Sequence, residues 1–201
     1  MVLFLKILKW IAIIFVAVFV ILFIFGEFRY FNKKKTEEAV EKIHNTKLAL
    51  DDVMGKNLPP DPGAEADKTI AGIDANKNGI RDDVELAIFR EYPNSAKTRA
   101  VLLQYALVLQ MELTLPVLNT DTATALIEDN NNRAHICIWS ISSRSDMEKF
   151  IVETEKNESF VEQLQFNTGQ RKKTQDDFYE YVRSYSASNK GCDLDLATLP
   201  N

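Results

Sequence analysis

Residues 74–85 read Asp74-Ala75-Asn76-Lys77-Asn78-Gly79-Ile80-Arg81-Asp82-Asp83-Val84-Glu85. Oxygen-bearing side chains stand at the first, third and fifth places, glycine at the sixth, and carboxylates at the ninth and twelfth. Calcium takes roughly six to eight hard oxygen ligands, and a tight loop that turns alternate side chains inward can supply them. On this pattern Asp74, Asn76 and Asn78 each offer one oxygen, and Gly79 permits the sharp turn. Ile80 offers its backbone carbonyl while its side chain packs inward. Asp82 binds directly or through a water, and Glu85, on the first turn of the following helix, clamps the ion with both oxygens. A metal-free alternative is an Asn78-Gly79 turn followed by Asp82 as a helix N-cap, but it gives no role to Asp74, Asn76 or Glu85. Magnesium fits less well, because it demands a tighter octahedron and keeps its waters.

The segment resembles the EF-hand loop. In Gly79, Ile80 and Asp82 it is still more similar to the aspartate-rich calcium loops of dockerins and thrombospondin type 3 repeats. The resemblance covers these residues alone. A single loop stands here, where those families carry pairs or arrays, and Ala64–Gly72 is too short for a clear incoming helix. The resemblance implies one bound Ca2+. Two of the first three ligands are neutral asparagines, so the expected affinity lies at the weak end of the range for such loops. A site of that kind fills outside a cell and stays empty in a resting cytosol. Its expected role is structural, joining the preceding linker to a helix over 82–92.

Other chemistry is sparse. Cys137 and Cys192 are the only thiols. A bridge between them would close a loop worth roughly 4 kcal/mol in the chain-entropy model; alternatively Cys137, in the apolar Ile136-Cys137-Ile138-Trp139 run, is ordinary core. Two cysteines cannot make a four-thiolate zinc site, and two histidines, His44 and His135, do not make a multi-histidine centre. His135 lies two residues from Cys137, which on a helix places it on a different face. No Gly-rich phosphate loop, nucleophile elbow or paired-histidine zinc helix is present. Asp51-Asp52, Asp176-Asp177 and the Asp193/Asp195 pair read as solvated faces.

These residues need elements to hold them, and the pattern is helical throughout. Thr36 reads as the N-cap of a juxtamembrane helix over 32–56, with Gly55 at its end. Three prolines within 59–62 make 57–73 a stiff linker. The domain over 74–201 then opens with the loop and the 82–92 helix. A second helix, capped by Asn94 or Ser95, runs to about Leu113, and a third covers 120–129. The Asn130-Asn131-Asn132 run reads as a loop, and 133–142 as helix or buried strand. Capping boxes at Ser145/Glu148 and Ser159/Glu162 predict separate helices over 146–156 and 160–167, the latter closed by Gly169. A last helix spans 175–185, and the tail from Ala187 has no periodicity. The fold class is therefore all-α, with about five or six short helices.

The N-terminal segment is of another kind. Of the first 31 residues, 26 are apolar, and Trp10–Phe25 runs without interruption. About 20 residues cross a bilayer; the Leu3–Lys9 turn completes the span if Lys6 and Lys9 snorkel. Phe28, Tyr30 and Phe31 then fall in the aromatic belt. Bulky residues at Phe25-Gly26-Glu27-Phe28-Arg29 argue against signal cleavage, which needs small side chains there. Residues 1–31 thus form a transmembrane anchor.

The remaining residues are acidic. Residues 36–201 carry 18 Lys and Arg against 28 Asp and Glu, a net charge of −10. Such a domain repels phosphate backbones, so nucleic acid is excluded as a partner and cations suit it. Counting Lys and Arg near the span slightly favours a cytoplasmic domain. The calcium loop favours the opposite, and long domains translocate regardless of flanking charge. The expected protein is a single-pass, extracytoplasmic binding or scaffold module with one structural Ca2+, periplasmic if the cell is bacterial, and not an enzyme. The alternatives are a cell-envelope hydrolase using a carboxylate pair and a cytoplasm-facing adaptor without metal.

Overall fold

The structure, a computed structural model, describes residues 2–186 and 190–201, with side chains from Lys6 onward. Met1 and residues 187–189, where the aperiodic tail begins, lie outside the described residues. The chain divides into two compact units, Met1–Glu38 and Ala39–Asn201, and no strand occurs among the described residues.

The first unit belongs to helix α1 (Val2–Asn45). From Ile7 to Phe31 its large apolar side chains are exposed on every face. A helix greasy all round has no face to give to water, and α1 is long and apolar enough to cross a membrane. After the apolar stretch, Lys33 and Lys34 pair with Glu37 and Glu38 at i,i+4 spacing. The N-cap expected at Thr36 does not form, because the helix continues through it. With no proline between Phe25 and Asn45, propagation adds one hydrogen bond per residue, whereas a new start would have to nucleate again.

The second unit is all-helical and begins at Ala39, ahead of the boundary expected at Asp74. Ala39 and Ile43 are buried in it. A turn leads to the short α2 (Leu50–Val53), after which Gly55 takes a left-handed φ of 70°. The proline segment contains one 3-10 turn, Gly63–Asp67. Helix α3 (Asp82–Glu91) follows the loop, and α4 (Ala96–Thr114) is the axis of the unit, with α3, α6, α7 and α8 packed around it. Of its 19 residues, 15 are buried, so it is a core helix with no polar stripe to betray its orientation. Ser95 caps it as expected, its hydroxyl accepting from the Thr98 amide.

Several boundaries depart from expectation. Helix α5 (Thr120–Ala125) passes into a π-helical segment, Leu126–Asn131, and then into α6 (Asn132–Ser140), with no loop at the asparagine run. Each asparagine has a partner: Asn130 donates to the Ile43 carbonyl, Asn131 to Glu112, and Asn132 to the Ile127 carbonyl. The first two bonds are tertiary and outweigh the local preference of asparagine for turns. Likewise α7 (Met147–Gln165) is one helix where two were expected. Asp146, not Ser145, caps it. Ser159 lies mid-helix, and Gly169 opens α8 (Gly169–Tyr179) behind the Thr168 cap instead of closing α7.

The C-terminal tail is a strap. Cys137 and Cys192 are joined by a disulfide. The Asp193 amide donates to Gln104, its carboxylate accepts from the Leu48 amide and pairs with buried Arg133, and the Pro200 carbonyl accepts from the first amides of α4. A segment without periodicity is held by specific polar contacts and one covalent bond.

Candidate metal centre

The loop from Asp74 to Glu85 curls through two left-handed residues, Lys77 at φ 59° and Gly79 at φ 86°. A Cβ on Gly79 would be strained by that φ and would also press on Leu107 Cδ1 at 2.8 Å. The curl turns alternate residues inward: 74, 76 and 78 are half-buried, while 75 and 77 are exposed. Their oxygens already hold the loop backbone. Asp74 accepts from the Asn78 and Gly79 amides at 3.2 and 3.0 Å, Asn76 Oδ1 accepts from Asn78 at 3.3 Å, and Asn78 Oδ1 accepts from Ile80 at 2.9 Å.

Glu85 reaches the same place from the first turn of α3. Its Oε2 accepts from Asn76 Nδ2 at 3.0 Å, while Oε1 is buried without a hydrogen-bond partner. Burial pushes its carboxyl up to about 7; the Asn76 and Asn78 amides oppose this, and the charges of Asp52 and Asp82 add to it. Four of the residues singled out by spacing, Asp74, Asn76, Asn78 and Glu85, are thus drawn together. Asp82 is turned elsewhere: both its oxygens accept from the Ala75 amide. It is the first residue of α3, not its N-cap, a place taken by Arg81. Burial raises its carboxyl above the usual range. The Ile80 side chain is fully buried in the core.

Two features of the site have no mark in the spacing. Asp52, on α2, stands beside the Asn78 amide with its carboxyl raised by burial and by the nearby Asp51 and Asp74. The Asn57 carbonyl, just beyond α2, accepts from Asn76 Nδ2. Their only sequence signal is the Asp51-Asp52 pair, indistinguishable from a solvated face. The second feature is Arg81, fully buried, which grips Asp83 at 2.6 and 2.9 Å and donates to the Leu164 and Gln165 carbonyls at the end of α7. It satisfies carbonyls that a helix end leaves free. Arg171 does the same on the other side, holding the Ala66, Thr69 and Ile70 carbonyls and Asp67. The loop is therefore bolted to the α7–α8 junction at both shoulders.

Among the described residues no group of three or more His, Cys, Asp and Glu side chains is placed to hold a metal. The loop's donor set is mixed, with asparagines contributing beside the carboxylates. The donors are all oxygen, which suits a hard cation. The orphaned Glu85 Oε1, among carboxylates that raise one another's proton affinity, is the observation that fits such an ion. Elsewhere, His44 lies 3.1 Å from Asp129 and His135 2.8 Å from Glu158, and both thiols are consumed in the disulfide.

The chain matches no family model, no curated protein and no solved structure.

Proposed function

We propose that this protein is a single-pass membrane-anchored module whose helical domain lies outside the cytoplasm, binds one structural Ca2+ at residues 74–85 and works through contacts with other proteins. The observation that carries the metal is Glu85: a fully buried carboxylate with one oxygen unpaired, facing a loop that gathers Asp74, Asn76 and Asn78. A divalent ion there satisfies the orphaned oxygen and offsets the mutual repulsion of Glu85, Asp82 and Asp52. Asp74, Asn76 and Asn78 supply one oxygen each, Ile80 its carbonyl, Asp82 a direct or water-mediated contact, and Glu85 two oxygens. Asp82 would leave the Ala75 amide to take part.

Two further points support the compartment and the role. A disulfide persists in oxidising surroundings, which agrees with a loop of modest affinity that needs millimolar calcium. α1 serves as an uncleaved anchor, since Phe25, Phe28 and Arg29 offer no processing site. Calcium bound between α2 and α3 would stiffen the loop that Arg81 fastens to α7, so the ion stabilises a docking body.

The test is calorimetry of the full-length protein in a neutral detergent with calcium added and with a chelator. Calcium raises the melting temperature of the wild type and leaves Asp74→Ala unmoved. Identical melting curves in calcium and in chelator overturn the metal assignment. Reporter fusions at the C-terminus, one active only inside the cell and one only outside, decide the orientation.

A further inference from the structure

The twelve residues of the loop do not account for every oxygen gathered around it. The chain leaving α2 lies against the loop: the Asn57 carbonyl accepts from Asn76 Nδ2 at 2.9 Å, and the same nitrogen donates to Glu85 Oε2 at 3.0 Å. One amide thus spans the gap between the α2 segment and the first turn of α3. The Asn78 side chain makes a second bridge, standing beside both the Asp52 and the Glu85 carboxylates. Glu85 is fully buried, and its Oε1 has no hydrogen-bond partner. Asp52 is held inward by its own helix. Its carboxylate takes the Ala49 amide at the start of α2 and faces Asn78 and the charge of Asp74. Asp51, beside it, is exposed and turns instead to Lys56, which pairs with it at 2.6 Å. Asp52 is therefore the charge that bears on both ends of the loop, Asp74 and Glu85.

We infer that Asp52 is a ligand of the ion, supplied from outside the loop; the inference rests on the calcium reading above. The coordination number leaves room for it. Asp74, Asn76, Asn78, the Ile80 carbonyl and the two oxygens of Glu85 fill the lower end of the roughly six to eight places that calcium offers. Asp82 must leave the Ala75 amide to join them, because both its oxygens are engaged there. Asp52 has only the Asn78 amide to displace, and it keeps the Ala49 amide as its tether. A cation among these groups turns the repulsion of Asp52, Asp74 and Glu85 into attraction to a shared centre. Two consequences follow from a ligand on α2. One more carboxylate raises the affinity above that of the loop alone, and a place beyond six favours calcium over magnesium, which keeps to an octahedron. The ion also ties α2 to α3, so the order it brings extends to residues 50–57.

The experiment titrates the full-length protein in neutral detergent with calcium chloride by calorimetry, and follows amide exchange by mass spectrometry in calcium and in chelator. Asp52→Asn keeps the shape of the side chain and removes its charge, and should weaken calcium binding by about tenfold or more. Asp51→Asn makes the same charge change one residue away and should leave the affinity nearly unchanged, since an exposed charge is screened. In the wild type, calcium should slow exchange over residues 50–57 together with 74–85. Binding abolished in Asp74→Ala but equal in wild type and Asp52→Asn overturns the role of Asp52 and leaves the loop assignment standing. An equal loss in Asp51→Asn and Asp52→Asn also overturns it, as does wild-type protection confined to 74–85. A wild type that binds no calcium overturns both assignments.

Discussion

Replacing Glu85 by glutamine reverses sign with calcium. In chelator at pH 8 the wild-type carboxylate is ionised in a fully buried position, although the folded protein holds its proton up to about 7 against an ordinary value of 4.5. A folded-state pKa above the unfolded one means that stability is complete below about pH 4.5 and is lost as pH rises through 7. A displacement of that size corresponds to at most about 3 kcal/mol at pH 8. Glutamine removes that cost but leaves its amide without an acceptor, at roughly 1–2 kcal/mol. Glu85→Gln should therefore stabilise the metal-free protein by about 1–2 kcal/mol, a rise of roughly 2–8 °C for a domain of this size. Calcium at about 100 times its dissociation constant adds roughly 2.7 kcal/mol to the wild type and little to the variant, so their order inverts. Thermal melts at pH 8, with calcium and with chelator, read both signs. A variant less stable than wild type in chelator refutes the unpaired-charge argument; a calcium shift equal in both proteins refutes the clamp by Glu85.

Three other outcomes follow from the same physical reasoning. Reducing the disulfide, or Cys192→Ser, should lower stability by about 4 kcal/mol on the chain-entropy account and raise amide exchange in residues 190–201 first, as read by mass spectrometry. Arg81→Met should cost roughly 3–5 kcal/mol in urea unfolding, because it leaves Asp83 and the α7 carbonyls without their charged partner; a loss under 1 kcal/mol would show that the bolt is dispensable. The Glu112 carboxyl is pushed up to about 8 by burial, so the wild type should lose stability as pH rises through 8. Glu112→Gln should not, and melting curves from pH 6 to 10 that run parallel for the two proteins would contradict this.

Particular residues show how far composition and spacing reach. The apolar run of α1 is legible because the period and absence of charge carry the meaning, whatever else the chain does. Ser95 as a cap, Gly79 as a left-handed turn and the inward set 74, 76 and 78 are legible for a similar reason: each rests on interactions within a few residues. Ser159 and Gly169 misled because capping preferences are worth about 1 kcal/mol, and the packing of α7 along α4 exceeds that. Asn130 and Asn131 misled in the same way, since their partners, Ile43 and Glu112, lie far off in sequence.

What the sequence by itself determined is local: a membrane-length helix, an all-α domain and a twelve-residue loop rich in oxygen donors. Only the tertiary structure decided which side chains are buried without partners, that Asp52 stands beside the loop, that Arg81 and Arg171 fasten it, and that Glu112 faces Glu162. Burial of a charge depends on neighbours distant in sequence, and desolvation, unlike helical period, leaves no trace in the order of residues.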